Sequence, residues 1–443
     1  MQTRRNFLRA IGSCGLLSMT SLLSDAQSKT HRSPNIIIIM ADDLGYGDLS
    51  CYGNQNINTP NLDALAAGGV KFTDYHSSGP VCSPTRAGLL TGRYQQRCGI
   101  PGVLTVAQHR DQGLSPDEIT FSRVFKDSGY KTAIFGKWHL GYKPEFNPRN
   151  HGFDQFQGYL SGNVDYISHI DQAGVYDWWN NQQQIEEEGY STHLITKHAL
   201  RFIDENKEKP FCLYIAHEAP HYPYQAPDDP ADRTVGGEFP NHGSRKDIKG
   251  AYKSMVEEMD KGIGQVMKKV RQLGLEQDTF IFFCSDNGAN KAGSNGSLRG
   301  YKSSLWEGGH RVPAIAYWSG IIAPGGISKE PVISLDVFPT ILSAARLKKP
   351  ASCQFDGTDL MPHLLLGSKI PERSLFWSFK KQKAIRRGGW KLIETEKNNQ
   401  KIIELFNLKK DLSEKNNLAN SNKDKLQSLT KEMHRYSNEL CKF

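Results

Sequence analysis

The sequence predicts an α/β chain: a large doubly wound, mixed but mostly parallel sheet, then a small C-terminal α+β unit on an antiparallel sheet. Three observations predict it. Short apolar runs alternate with amphipathic helical stretches from Pro34 to about Ala345. The first run, Ile36-Ile37-Ile38-Ile39-Met40, places four β-branched residues in a row between polar flanks. That is the pattern of a strand buried on both faces, hence of a parallel sheet. Finally, four runs end in polar residues, at the strand ends where open α/β sheets bind ligands.

Taken in order, "IIIIM" is the first strand and leads into Asp42-Asp43. "GVKFTDYHS" reads as one short second strand. "SPTRAGLLTGR" begins a helix, with Ser83 as its cap and Pro84 in the first turn. "TFSRVFKDSGY" is an amphipathic helix, and "KTAIFGKWHLG" a strand running into a loop with Lys137 and His139. The same pair recurs as "HLITKHALRFIDEN" then "PFCLYIAHEAPHYP", which ends in His217 and His221. It recurs again as "MVEEMDKGIGQVMKKVRQLG" then "DTFIFFCSDNGAN", which carries Asp286-Asn287. "VPAIAYWSG" is a further strand and "SLDVFPTILSAA" a helix. From Pro371 the character changes to short strands ("SLFWSF", "KAIRRGGWKLIET", "KIIELFNL") and a closing helix, "DKLQSLTKEMHRYSNEL". The expected organisation is a leader over residues 1–26, a catalytic α/β domain over 33–370 and an antiparallel-sheet subdomain over 371–443.

The 443 residues carry a net charge of +8. From Lys380 onward 16 basic residues face 8 acidic ones, so the excess is confined to the tail. No groove-reading motif accompanies it, so the tail reads as a solvated basic surface and nucleic acid is not an expected partner. No internal run approaches the roughly 20 apolar residues of a membrane span. "TRRNFLRAIGSCGLLSMTSLLSDAQS" has the basic start, apolar middle and small residues of an export signal, with cleavage after Ala26. Arg4-Arg5 also resembles a twin-arginine signal. The expected location is the periplasm or exterior of a bacterium. Of eight cysteines, Cys212 and Cys284 sit in apolar runs and read as buried thiols.

Asp42, Asp43, Asp286 and Asn287 bring three carboxylates and an amide oxygen from two strand ends. Hard oxygen donors without clustered histidine or cysteine suit Ca²⁺ or Mg²⁺ rather than Zn²⁺. "GPVCSPTRAGLLTGR" poses a separate question. Cys82 has neither a close histidine in sequence, as a thiolate nucleophile would want, nor a second nearby cysteine, as a metal thiolate would.

"CSPTRAGLLTGR", taken with "IIIIMADDLGYGD", "GKWHLG", "SDNGAN" and "LRGYKSSLWEGGHRVPAIAYWSG", resembles the type I, formylglycine-dependent sulfatases of the alkaline phosphatase superfamily. In character it is nearest to arylsulfatases A and B and the N-acetylgalactosamine sulfatases. The resemblance runs from about Pro34 to Asn420. It implies that a maturation enzyme oxidises Cys82 to formylglycine (3-oxoalanine), with Pro84 and Arg86 in its recognition signal. The hydrated aldehyde would attack sulfur with one hydroxyl and expel sulfate with the other, through a covalent sulfo-enzyme. It further implies Asp42, Asp43, Asp286 and Asn287 as ligands of Ca²⁺, less favourably Mg²⁺, together with modified Cys82. Arg86 would stabilise formylglycine. Lys137 would bind sulfate, and His139 would drive its elimination. His221, preferred over His217, and Lys302 would assist the leaving oxygen. Ser161 is a weaker match on the sulfate side, and Asp165 and His169 are candidate substrate contacts. Trp138, Trp178 and Trp179 are left open between core and sugar stacking. The reading is an exported sulfatase for a sulfated saccharide. A formylglycine-dependent phosphonate monoester or phosphodiester hydrolase, and an unmatured saccharide-binding protein, stand as alternatives.

Overall fold

The chain begins its described part with β1 (Asn35–Ala41), α1 (Pro60–Gly68), β2 (Val70–Phe72), β3 (Tyr75–His76) and α2 (Cys82–Thr91). This computed structural model describes residues 32–237, 239 and 243–440. The expected leader, with Arg4, Arg5, Cys14 and Ala26, lies outside the described residues, as does Cys441. Next come α3 (Phe121–Asp127), β4 (Lys131–Lys137), β5 (Gln155–Tyr159), β6 (Trp179–Asn180) and β7 (Gln183–Gln184). Then follow α4 (Ser191–Glu205), β8 (Phe211–Ala216), α5 (Ile248–Gln272), β9 (Thr279–Ser285), α6 (Glu307–His310) and β10 (Ala314–Tyr317). The chain continues through β11 (Gly326–Ser328), β12 (Val332–Ile333), α7 (Val337–Ala344) and α8 (Met361–Leu366). It closes with β13 (Ser374–Phe379), β14 (Gln382–Arg387), β15 (Trp390–Lys397), β16 (Gln400–Asn407) and α9 (Lys423–Leu440).

Ten strands form one sheet in the order β11-β2-β10-β9-β1-β8-β4-β5-β6-β7. Its centre, from β9 through β1, β8 and β4 to β5, is parallel, and antiparallel strands β10 and β6 flank it. This is the doubly wound, mixed and mostly parallel sheet that the alternation predicts. The period of two in β1 explains how one strand serves both faces. Ile36, Ile38 and Met40 enter one core with α2, α3 and α7, while Ile37, Ile39 and Ala41 enter the other with α4 and α5. All four isoleucines are fully buried, each side chain worth roughly 1.5–3 kcal/mol on removal from water.

"GVKFTDYHS" divides differently from its expected reading. β2 joins the large sheet, but β3 turns away and pairs with β12 in a separate two-stranded sheet. The expected cap is also corrected. Val81, extended, stands at the helix start without a side-chain cap, and Ser83 lies inside α2, past the position from which a cap reaches back. Its hydroxyl instead accepts the Leu104 N–H at 3.1 Å.

β13 to β16 form the antiparallel four-stranded sheet, each strand paired with the next. Leu429, Met433 and Leu440 of α9 pack on it. The same core takes in Val81 just before α2, Tyr94 just after it, Leu305 just before α6 and Leu335 just before α7. Among the described residues no helix is long and apolar enough to cross a membrane.

Candidate active site

Parallel register brings the polar strand ends together. β1 and β9 pair to their last residues, Ala41 with Ser285, so Asp42-Asp43 and Asp286-Asn287 leave the sheet side by side. β4 supplies Lys137 as its last residue, followed by His139. Gly136 before it has φ +106°, and a Cβ there would stand 2.1 Å from the Ala216 carbonyl oxygen, so only glycine fits between the strands. Cys82 and Arg86 lie four residues apart on α2, hence on one face.

All of these side chains are buried and they touch. Cys82 Sγ lies 3.3 Å from Asp42 Oδ1 and 3.4 Å from Lys302 Nζ. Lys137 pairs with Asp42. Arg86 donates to Asp286 Oδ2 at 2.9 Å and to the Lys137 carbonyl at 3.2 Å. Lys302 reaches Asp43 Oδ1 at 2.6 Å, and Asn287 Nδ2 donates to the same oxygen at 2.7 Å. His221 Nε2 is 3.7 Å from Asp43 Oδ2. Ligand atoms of Asp42, Asp43, Cys82 and His221 all fall within 4.8 Å of one another. Asp286 stands beside them, its Oδ1 accepting the Asp43 N–H at 3.2 Å.

Charge and strain mark the site. Burial, then the neighbouring Asp42, pushes Asp286 up to about 7. Burial, then Asp42, also raises the Cys82 thiol far above its usual range, so an unmodified Cys82 is a poor nucleophile here. Burial and Lys137 hold His139 well below the usual imidazole value, and burial and Lys302 do the same for His221. Both shifts favour the neutral ring. His139 Nε2 meets the Leu104 carbonyl at 2.8 Å, so it carries the proton, and the buried Nδ1 has no partner among the described residues. Asp43 and His139 both adopt left-handed backbone, φ 63° and 57°. Each such non-glycine residue costs about 1–3 kcal/mol and persists only where its surroundings impose it.

The site opens into a cavity of about 650 Å³ lined by Cys82, His139, His221, Lys302 and Ser161 among others. The oxygen donors suit a hard divalent cation. Asn287 Oδ1 supports that fit, being buried without a partner among the described residues.

The sulfatase family model matches residues 34–347, and a second, described as N-sulphoglucosamine sulphohydrolase, C-terminal, matches residues 301–442. The chain belongs to the sulfatase family. It is similar to N-acetylgalactosamine-6-sulfatase of Mus musculus, at 36% identity over 82% of this chain and 72% of that protein. Arylsulfatase A of Bos taurus is 37% identical over 78% of this chain and 70% of its own length. The solved structure of Ps i-CgsB superposes at a TM-score of 0.83 with 32% identity, covering 92% of this chain and 93% of that one. That protein has also been solved in complex with k-i-k-neocarrahexaose. The chain is accordingly a sulfuric ester hydrolase with the expected alkaline phosphatase-like fold.

Several expected contacts of this sulfatase lie elsewhere. Asp165 is not among the cavity-lining residues. Its Oδ1 accepts the N–H groups of Ile167 and Ser168, and its Oδ2 those of Asp232 and Arg233 and the amide of Gln225. His169 stacks on Trp178 at 4.4 Å between ring centroids. His217 is buried outside the clustered ligand atoms, and burial pulls it down to about 3. Trp138 and Trp178 are core residues, and half-buried Trp179 packs against the core. Sequence reasoning missed Asn290, whose Nδ2 donates to Asp43 Oδ2 at 2.5 Å. Its signal was available, three residues beyond Asn287 in "SDNGAN". Leu104 acts through its carbonyl and leaves no signal in residue type.

Proposed function

We propose that the chain is an exported, formylglycine-dependent sulfatase acting on a sulfated saccharide. The observation that carries this reading is the junction of Cys82 with Asp42 and Lys302 at the floor of a cavity of about 650 Å³. An aldehyde formed by oxidation of Cys82 supplies, once hydrated, one hydroxyl to attack sulfur and a second to expel sulfate. Asp42, Asp43, Asp286 and Asn287 would hold Ca²⁺, which would supply Lewis acidity toward the sulfate group.

The chain's own residues do the rest. Arg86 and Lys137 hold Asp286 and Asp42 in place and offset their charge. Lys137 and Lys302 bind the sulfate. His139, neutral with Nδ1 free, accepts the proton at residue 82. His221 and Lys302 border the cavity, and Lys302 gives a proton, or its charge, to the departing alkoxide, with His221 beside it. Ser161 lines the sulfate side. Sequence similarity to an N-acetylgalactosamine-6-sulfatase supports the saccharide class. The leader supports export, and residues 1–26, 33–370 and 371–443 remain the proposed divisions.

Co-expression with a sulfatase-maturation enzyme tests this. The peptide spanning Cys82 is expected to show the thiol-to-aldehyde mass change, and the matured chain to turn over aryl sulfate faster than aryl phosphonate. Chelation is expected to remove activity and Ca²⁺ to restore it better than Zn²⁺. A matured chain that prefers the phosphonate, or works fully when metal-free, sinks the proposal.

A further inference from the structure

One wall of the cavity is a short hairpin, with Val164 bridged to Asp171 in antiparallel fashion and the Asp165 N–H donating to the Ile170 carbonyl at 2.8 Å. Two of its polar residues, Asn163 and Asp171, line the cavity that holds Cys82. Both are almost wholly buried, at 6% and 5% exposure, so neither is casual surface polarity of a loop.

Each side chain has one end fixed and one end free. Arg233 donates to Asn163 Oδ1 at 2.6 Å. Asn163 Nδ2 has no partner among the described residues, and the residue lines the cavity. Asp171 Oδ1 accepts the N–H groups of Ala173 and Val175, both at 2.9 Å, and its Oδ2 has no partner among the described residues. Arg233 also donates to the carbonyl of Ile170, the residue before Asp171, at 3.2 Å. Asp165 in turn holds the Arg233 backbone at 3.0 Å. An amide donor and a carboxylate acceptor, preset on one wall, match the hydroxyls of a sugar ring, each of which accepts and donates.

We infer that Asn163 and Asp171 form a sugar-reading subsite, in which the Asn163 amide donates to one ring hydroxyl and the Asp171 carboxylate accepts from another. The inference rests on the saccharide reading above and narrows it. A buried carboxylate repels a second sulfate or a uronate carboxylate on the same ring, so the subsite favours a neutral sugar carrying one sulfate.

The test compares matured wild type with Asn163→Asp and Asp171→Asn. The probes are galactose 6-sulfate, N-acetylgalactosamine 6-sulfate and 4-sulfate, a disulfated galactose, and 4-methylumbelliferyl sulfate, which has no ring hydroxyls to read. Asn163→Asp keeps an acceptor for Arg233, and Asp171→Asn keeps one for the two N–H groups, so both retain the hairpin's internal bonds. Thermal unfolding verifies that they fold. For the best monosulfated sugar each variant is expected to lose about tenfold in kcat/KM, with aryl sulfate turnover unchanged. Asp171→Asn is also expected to raise turnover of the disulfated sugar relative to the monosulfated one, which a merely structural role would not do. Parallel loss on sugar and aryl sulfate, or unchanged sugar turnover, overturns the inference alone. A wild type that cleaves the aryl sulfate but none of the sugars overturns the saccharide reading, and the inference with it.

Discussion

At the scale of single residues, the site is built by placing reactive groups where water is excluded. Cys82 is 2% exposed, and its surroundings disfavour a thiolate. Cys82→Ala is therefore expected to leave folding and the charge cluster intact but to lower sulfate ester turnover on the order of 10⁴-fold or more, measured with aryl sulfate. Loss of only a few-fold would mean that another residue carries the nucleophile. His139 depends on its neighbours in a second way. A Cβ added at Gly162 would stand 2.9 Å from His139 Nε2, the atom held by Leu104. Gly162→Ala is expected to tilt the ring and cost between about ten- and a hundredfold in kcat, with little change in unfolding temperature. An unchanged kcat would show that the ring has room to adjust.

At the scale of elements, the loop after β1 must be clamped for its two aspartates to hold their positions. Asp48 does this, accepting the Tyr252 hydroxyl of α5 at 2.5 Å and the N–H groups of Gly45 and Ser294, both at 2.8 Å. Burial outweighs those bonds and pushes its carboxyl up from 3.8 to about 6. The folded state then binds more protons than the unfolded state between those values, so this group's contribution to stability is greatest below about pH 4 and is lost as pH rises through about 6. Asp48→Asn removes the titration. The difference between wild-type and variant unfolding free energies is expected to change across that window and to be flat on either side. A constant difference from pH 3 to 8 would show that Asp48 titrates normally.

At the scale of the whole molecule, the four-stranded sheet is joined to α6 and to the segment around β3 by buried charge as well as by apolar contacts. Lys391 of β15 lies 2.9 Å from both Glu307 and Glu414 and 3.0 Å from His310 Nε2, and it is fully buried. Arg386 of β14 pairs with Asp74, and Trp377 of β13 donates to the Ser77 carbonyl at 2.8 Å. Lys391→Met leaves buried Glu414 without its cation and takes one from Glu307, which keeps Arg311 at 3.2 Å and Arg386 at 3.7 Å. The expected cost is about 3–5 kcal/mol in urea unfolding, since removing one partner of a buried pair leaves the other unpaired. A loss under about 1 kcal/mol would show that the carboxylates take up protons and the junction tolerates it.

Sequence alone was enough for the long buried strands and amphipathic helices and for the residues at the strand ends, but not for the short pieces such as Pro60–Gly68 and Gln155–Tyr159. Period-two burial, a short apolar length and a polar terminus are local properties, and a parallel sheet converts them directly into a shared edge. Asp42 and Asp286 were legible in this way, whereas Cys82, on a helix, was given its role only by its resemblance to the sulfatase motif. Local pattern was not enough wherever the outcome depended on a partner far along the chain. "GVKFTDYHS" reads as one strand, but β12, over 250 residues on, draws β3 out of the large sheet. Asp165 and His169 read as substrate contacts, but backbone N–H groups and Trp178 take up their polar and aromatic faces first. Asn163 and Asp171 show the converse. They are ordinary loop residues until Arg233 and the hairpin's N–H groups fix one end of each beside the cavity that both line. Only tertiary structure decides which end of a polar side chain is already satisfied, because the partner that satisfies it is chosen by the fold.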